Sequence, residues 1–282
     1  MEDLIAKLLQ PCVKAIYEYF FGLFNNLFID AAAELSTTPS NFASVGGSLV
    51  TLVTTIGSTV VLPIAAAILS YNFAKEIFEL VSRHNNMADF DLFAFFKTLF
   101  KTAAAAWLTT KCFEIVLGFF DMGAYLVDTV AGTTSIAIDA ALLASTLAVE
   151  TNVGQLLLYI VLGIVIGLVV LICGALILVT IWSRLINIYI LVVISPIPFA
   201  TLLGSQSLNS IGSGFIKNVL STALQGFIIA VLMAIMASII SNTASNVNDM
   251  SDLLKVTILL ITSTITISKS LSLAKTAVGL AG

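Results

Sequence analysis

The chain has 282 residues, 59% of them hydrophobic and only 10% charged, with 12 basic and 16 acidic side chains giving a net charge of −4. Soluble domains carry about 25% charged residues. A mean hydropathy of +1.09 therefore leaves too little polar surface for water and points to lipid as the solvent, which excludes a soluble enzyme. An acidic pI near 4.9 also excludes a chain-wide nucleic-acid footprint, which requires concentrated Lys and Arg.

Cys12, Cys112 and Cys173 lack CxxC spacing and read as small apolar residues. The opening Met1-Glu2-Asp3 has no basic n-region, so a cleaved leader is not expected. Long blocks of Leu, Ile, Val and Ala, without the alternation of barrel strands, predict an all-α, polytopic membrane protein.

Residues 1–44 stand apart as an N-terminal amphipathic segment. Leu4, Leu8, Val13, Ile16, Phe20, Leu23, Phe24 and Leu27 recur at helical spacing, and Lys7, Gln10, Lys14, Glu18 and Asn25 interrupt them. Such a stretch lies on the extracytoplasmic membrane surface more readily than it spans, and the aromatics between Tyr17 and Phe28 suit the headgroup level. Pro11 predicts a kink.

Residues 45–282 are expected to form a single helical membrane domain. Its first span falls at 45–71, with Gly46 and Gly47 loosening its entry. A loop carrying Lys75, Arg83, Lys97 and Lys101 follows, and its basic residues place it in the cytoplasm. These charges are either simply solvated or dock an acidic partner or anionic lipid. His84, the sole histidine, reads as a solvated loop residue, since a metal site needs several converging ligands.

The second span is expected at 102–127. At 100° per residue Lys111, Glu114, Gly118, Asp121 and Asp128 share one face. A charge at mid-membrane costs roughly 2.5–3.5 kcal/mol, so the stripe of Lys111, Glu114 and Asp121 must meet protein or water. Two readings stay open: a lined pathway or inter-subunit anchor, and self-pairing of Lys111 with Glu114 at i,i+3. The loop from Asp128 to Asn152 is acidic and is expected outside.

The third span falls at 155–182, where Gly163 and Gly167 form a GxxxG that Gly174 extends, allowing close approach of a helix from this chain or another. Arg184 then returns the chain to the cytoplasm. In the segment 185–203, Pro196 and Pro198 each remove a backbone donor, so it is expected to be broken, re-entrant or interfacial, facing a subunit contact or cavity. Gly212 to Lys217 lacks the GxxxxGK[ST] spacing of a phosphate loop and reads as a flexible cytoplasmic connection. Spans at 218–240 and 253–273 complete five crossings, with Lys255 and Lys269 near the ends of the last. Positive-inside charge then puts the amino terminus outside and the carboxyl terminus in the cytoplasm. No nucleotide, cofactor or metal site and no Ser-His-Asp or Cys-His arrangement can be nominated, so the expectation is a protein that is not an enzyme.

Three stretches carry a specific resemblance: Ile194-Ser195-Pro196-Ile197-Pro198-Phe199-Ala200-Thr201-Leu202, then Ile216-Lys217-Asn218, then Leu224-Gln225-Gly226-Phe227-Ile228. Over about Arg184 to Met236 the chain resembles the TrbL-type polytopic subunit of type IV secretion (conjugation) systems. The resemblance implies that Ser195, Pro196, Pro198, Phe199, Gln225, Gly226 and Phe227 form a family motif and subunit contact. It also implies a scaffold and conduit subunit of the bacterial cytoplasmic membrane. Such a subunit forms homo-oligomeric rings, with a pentamer as candidate stoichiometry. It works beside transfer ATPases and other membrane subunits and contacts a relaxase-bound single DNA strand in transit. The turn from Gly204 to Gly214 departs from the family, being rich in Ser and Gly where relatives carry a tryptophan-containing acidic or amide-rich turn. Two rival classes are a small-molecule transporter with a broken-helix substrate site, for which no inverted repeat is visible, and a purely structural anchor.

Overall fold

The computed structural model describes residues 2–38, 46–83, 92–131, 152–204, 206–244 and 250–280. His84, most of the acidic loop from Asp128 to Asn152, and Asp249 lie outside the described residues. The described part is helical and contains no strand. In chain order the elements are α1 (Glu2–Ser36), α2 (Gly46–Ile56), a π-helical turn (Gly57–Val61), α3 (Leu62–Arg83), α4 (Leu92–Thr110) and α5 (Cys112–Ala131). They continue with α6 (Val153–Ile194), the short α7 (Pro196–Thr201), α8 (Gln206–Ala244), α9 (Met250–Ser268) and α10 (Ser270–Ala277).

Four stretches are long and apolar enough to cross a membrane: Leu49–Ser82, Val153–Ile194, Asn209–Thr243 and Ser251–Ser268. A fifth arises only if α4 and α5 together count as one span, and these two helices are bent by 60°. The helix expected over 102–127 is thus two helices meeting at Lys111. The protein is an all-α, multi-pass membrane protein.

The chain divides into two compact units. The first comprises Met1–Ser36, Ala124–Ser183 and Gln225–Leu271. Its core has α1 as one wall: Val13, Tyr17, Phe21, Phe24, Phe28, Ala31 and Leu35 are buried at three- and four-residue spacing, alongside Leu156, Ile166, Val170 and Ile177 of α6. This stripe only partly matches the expected one, because Leu8 is exposed. The helix also runs through Pro11 without interruption. The outward side of α6 is apolar as well, with Val161, Leu168, Ile172 and Val179 exposed. A helix hydrophobic all round belongs in lipid.

The second unit comprises Thr37–Gly123, Arg184–Leu224 and Ser272–Gly282. Its core gathers Cys112, Val116 and Phe120 of α5, Ile188, Leu191 and Val192 of α6, Phe199 of α7 and Phe215, Val219 and Ala223 of α8. Several expectations change here. Arg184 does not end the membrane helix: α6 continues to Ile194, and Arg184 is buried, its Nε donating to the Thr222 carbonyl at 3.2 Å. The break expected across 185–203 falls at Ser195 and again at Leu202 and Leu203, on either side of α7. Gly212 to Lys217 is not a flexible connection but part of α8. A Cβ on Gly212 would lie 2.8 Å from both the Pro198 carbonyl oxygen and Leu202 Cα, so a glycine is what lets these backbones meet. Lys75 lies on α3, and Lys97 and Lys101 on α4, rather than in a loop.

Candidate functional site: a proline break beside a polar cleft

In a continuous helix the N–H of residue 196 would reach the Val192 carbonyl, but Pro196 has none. Ser195 compensates twice, its hydroxyl donating to Val192 O at 2.8 Å and its own N–H at 3.3 Å. The chain then restarts as α7, with Phe199 N–H donating to Ser195 O at 3.2 Å and the Thr201 hydroxyl to Pro198 O at 2.8 Å. Ser195, Pro196, Pro198 and Phe199 are all buried. Phe199 meets Phe215 edge to face, with centroids 6.2 Å apart at 74°. The break is held inside protein, as irregular backbone at membrane depth requires.

Two other irregularities of the same unit lie against it. Cys112, at the elbow between α4 and α5, is fully buried in the same core as Val192 and Phe199. Gly57, which opens the π-helical turn, sits where a Cβ would be 2.6 Å from the Phe113 ring and 3.4 Å from Val193 O.

A small cleft, with enclosed space of about 10 Å³, opens between α3, α4 and α7. Its apolar lining includes Leu69, Phe73, Ala105 and Leu203. Its polar edge is formed by Asn72, Glu76, Lys101 and Gly204. Lys101 Nζ donates to Glu76 Oε1 at 2.8 Å and reaches the Gly204 carbonyl at 3.4 Å. Asn72 is buried, and its Nδ2 has no hydrogen-bond partner among the described residues. Asn72 and Glu76 were not singled out from the sequence. Their signal was an amide and a carboxylate four residues apart at the end of an apolar run.

The remaining sequence-derived residues fall elsewhere. Gln225, Gly226 and Phe227 lie on α8 within the first unit, not in the unit that holds Ser195 to Phe199. There Gln225 Nε2 donates to the buried Ser270 hydroxyl at 3.2 Å, while Gln225 Oε1 is buried with no hydrogen-bond partner among the described residues. Gly163, Gly167 and Gly174 all turn towards α1: Cβ atoms there would press on the Tyr17, Phe20 and Phe24 rings respectively. The GxxxG partner is therefore a helix of the same chain.

On α5 the stripe lies on the surface. Lys111 Nζ pairs with Glu114 Oε1 at 2.7 Å, whereas Asp121 and Asp128 are exposed without an ion pair among the described residues. Of the basic residues, Lys75 pairs loosely with Glu79 at 3.9 Å and Lys97 is exposed. Arg83 ends α3, and its side chain lies outside the described residues. Among the described residues, no group of three or more His, Cys, Asp or Glu side chains is placed to hold a metal ion.

The chain matches the family described as TrbL/VirB6 plasmid conjugal transfer like protein over residues 24–196. That match takes in α2 to α6 and stops at Pro196, so of the motif noted in the sequence it includes only the beginning. No curated protein and no solved structure matches the chain. With more than half of its length matched and its helices apolar enough for a multi-pass membrane protein, the chain belongs to the TrbL/VirB6 plasmid conjugal transfer-like family and is a subunit of a type IV secretion apparatus.

Proposed function

We propose that this subunit is a scaffold and channel component that helps form the conduit carrying a DNA–protein substrate across the cytoplasmic membrane. The reading rests on the polar face of α5. This helix has 20 residues, about 30 Å, which is the thickness of the hydrocarbon. Its surface nevertheless carries Glu114, Asp121 and Asp128, with Lys111 at the elbow before it. In lipid each unpaired carboxylate would cost roughly 2.5–3.5 kcal/mol near mid-membrane. Self-pairing relieves Lys111 and Glu114 only. Asp121 still needs water or a sister copy, and a ring of copies around an aqueous path supplies both.

In this arrangement the amino terminus is outside and the carboxyl terminus is cytoplasmic, and α1, packed along α6 through Tyr17, Phe20 and Phe24, is not the surface-lying segment expected from the sequence. Because Ser195, Pro196, Pro198 and Phe199 are buried within the chain, a contact with neighbouring subunits falls to the half-buried turn from Leu202 to Gly204 that follows them. Homo-oligomerisation, a pentameric ring included, and contacts with transfer ATPases, with other membrane subunits and with the relaxase-bound strand belong to the same proposal. The rival transporter reading would place a solute in the cleft beside α7. The enclosed space of that cleft is only about 10 Å³, room for about one water, against roughly 300–1,000 Å³ for small-molecule sites, so the conduit reading is preferred.

The test uses full-length protein with Cys12→Ser and a cysteine at Gly118 or Asp121. During transfer, crosslinks to a sister copy or to cargo are expected from these positions and not from Val179, on the apolar outer face of α6. Normal assembly and unaffected transfer in Lys111→Leu and Asp121→Leu, with no crosslinks from α5, refute the proposal.

A further inference from the structure

α4 has its polarity reversed relative to a helix of a soluble protein. At 100° per residue Phe93, Phe96, Phe100 and Trp107 fall within an arc of about 60°. All four are exposed, Phe93 at 78%, Phe100 at 75% and Trp107 at 63%. The opposite face carries Lys101, Thr102, Ala105 and Thr109, and of these Ala105 and Thr109 are buried. Lys101 is turned inward onto Glu76 and Gly204. A polar inner face with an aromatic outer one is stable only if the surroundings are themselves apolar.

The surroundings also have to accept charge. Lys97 is exposed on the flank of the aromatic arc, near the middle of the helix's first half. Neither α4 nor α5 alone is apolar enough and free enough of charge to be a crossing, and they qualify only as a pair bent by 60°. A pair of 19 and 20 residues with that bend measures about 50 Å end to end at 1.5 Å per residue, well beyond about 30 Å of hydrocarbon. At a bend of 60° the two arms cannot both run along the bilayer normal. α4 is the arm that departs from it, because aromatic rings and a flanking lysine are what the headgroup boundary accommodates.

We propose that α4 is an interfacial helix. It lies along the cytoplasmic leaflet with Phe93, Phe96, Phe100 and Trp107 in the boundary between headgroups and acyl chains and Lys97 against anionic headgroups. The partner is the bilayer surface, and an acidic lipid such as phosphatidylglycerol is the chemistry that complements Lys97. The placement of α4 depends on its own faces, whereas a crossing by α5 rests on the conduit reading that shelters its carboxylates, so tryptophan depths along α4 test the first without the second.

The test is the depth of single tryptophans in full-length protein reconstituted into mixed phosphatidylglycerol and phosphatidylcholine vesicles. Trp107 is read after Trp182→Phe, and Phe93→Trp, Phe96→Trp and Phe100→Trp are read one at a time with both native tryptophans replaced by Phe. Lipids brominated or spin-labelled at shallow and deep carbons serve as quenchers. From residue 93 to 107 a crossing helix changes depth by about 21 Å. The proposal expects all four positions to share a shallow preference and to differ by less than half of that. A depth that moves steadily across the bilayer overturns it. So does absence of lipid quenching at all four positions, which would mean that protein covers the ridge. Lys97→Glu should lift the neighbouring tryptophans outward in the acidic vesicles and leave them unchanged in pure phosphatidylcholine. Identical behaviour in both lipids overturns the assignment of Lys97 to anionic headgroups.

Discussion

The docking of α1 on α6 depends on three glycines, and adding carbon atoms there tests it. A Cβ on Gly163 would stand 3.0 Å from Tyr17 Cε2 and Cζ and 3.2 Å from Ile16 Cγ2. Tyr17 cannot give way easily: it is buried, and its hydroxyl donates to Tyr159 O at 3.2 Å. At Gly167 a Cβ would overlap the base of the Phe20 ring, an atom that moves only with the whole side chain. Overpacking of this kind costs typically about 1–3 kcal/mol. Replacing a mid-helix glycine with alanine returns about 1 kcal/mol of helix propensity. Gly163→Ala and Gly167→Ala should therefore be neutral to about 2 kcal/mol less stable. Gly167→Ile, which adds bulk without alanine's propensity, should lie at or beyond the unfavourable end of that range. Gly22 provides an internal control on α1, because a Cβ there meets nothing within 4 Å. Gly22→Ala should gain about 0.5–1 kcal/mol. Denaturant titration of the purified protein in mixed micelles, followed by circular dichroism, ranks the variants. The reasoning fails if Gly167→Ile unfolds at the wild-type midpoint, or if Gly22→Ala loses as much as Gly163→Ala.

Three further outcomes follow from individual contacts. Ser195→Ala removes the hydroxyl that serves the Val192 carbonyl and should cost about 1–2 kcal/mol in the same titration, with no loss meaning that the break holds itself without the serine. Glu76→Gln and Lys101→Met, singly and together, should show a coupling of about 1 kcal/mol, discounted because the pair is partly open to its surroundings, and additivity would mean that this contact does not tie α3 to α4. Ser270→Ala strips Gln225 Nε2 of its partner and should cost about 1–3 kcal/mol, whereas Gln225→Leu with Ser270→Ala should recover most of it. If the double variant is no better than the single one, the amide does more than satisfy Ser270.

The glycine motif in 153–182 announced close packing, since small residues four apart make a groove, but nothing local says which ring fills it. Tyr17, Phe20 and Phe24 come from 140 or more residues earlier. The second span looked like one helix because Thr102 to Val127 is uniformly helical in pattern. The elbow at Lys111 depends on Cys112 packing in one core with Val192 and Phe199 and on Phe113 lying against Gly57, residues remote in sequence. Arg184 looked like a boundary because a charge ordinarily seeks water. A carbonyl on α8 shelters it instead, which hydropathy along a single segment cannot register.

What the chain determines by itself is its solvent and its class: helical, multi-pass, and broken at Pro196, because apolar content, period and a missing N–H are properties of a short stretch of backbone. What only the tertiary structure decided is direction. The outward aromatic ridge of α4, the inward Lys101 and the orphaned amide of Asn72 have the same local sequence signal as a helix facing the other way. The choice between faces is made by distant partners, whose approach is a collective outcome of packing.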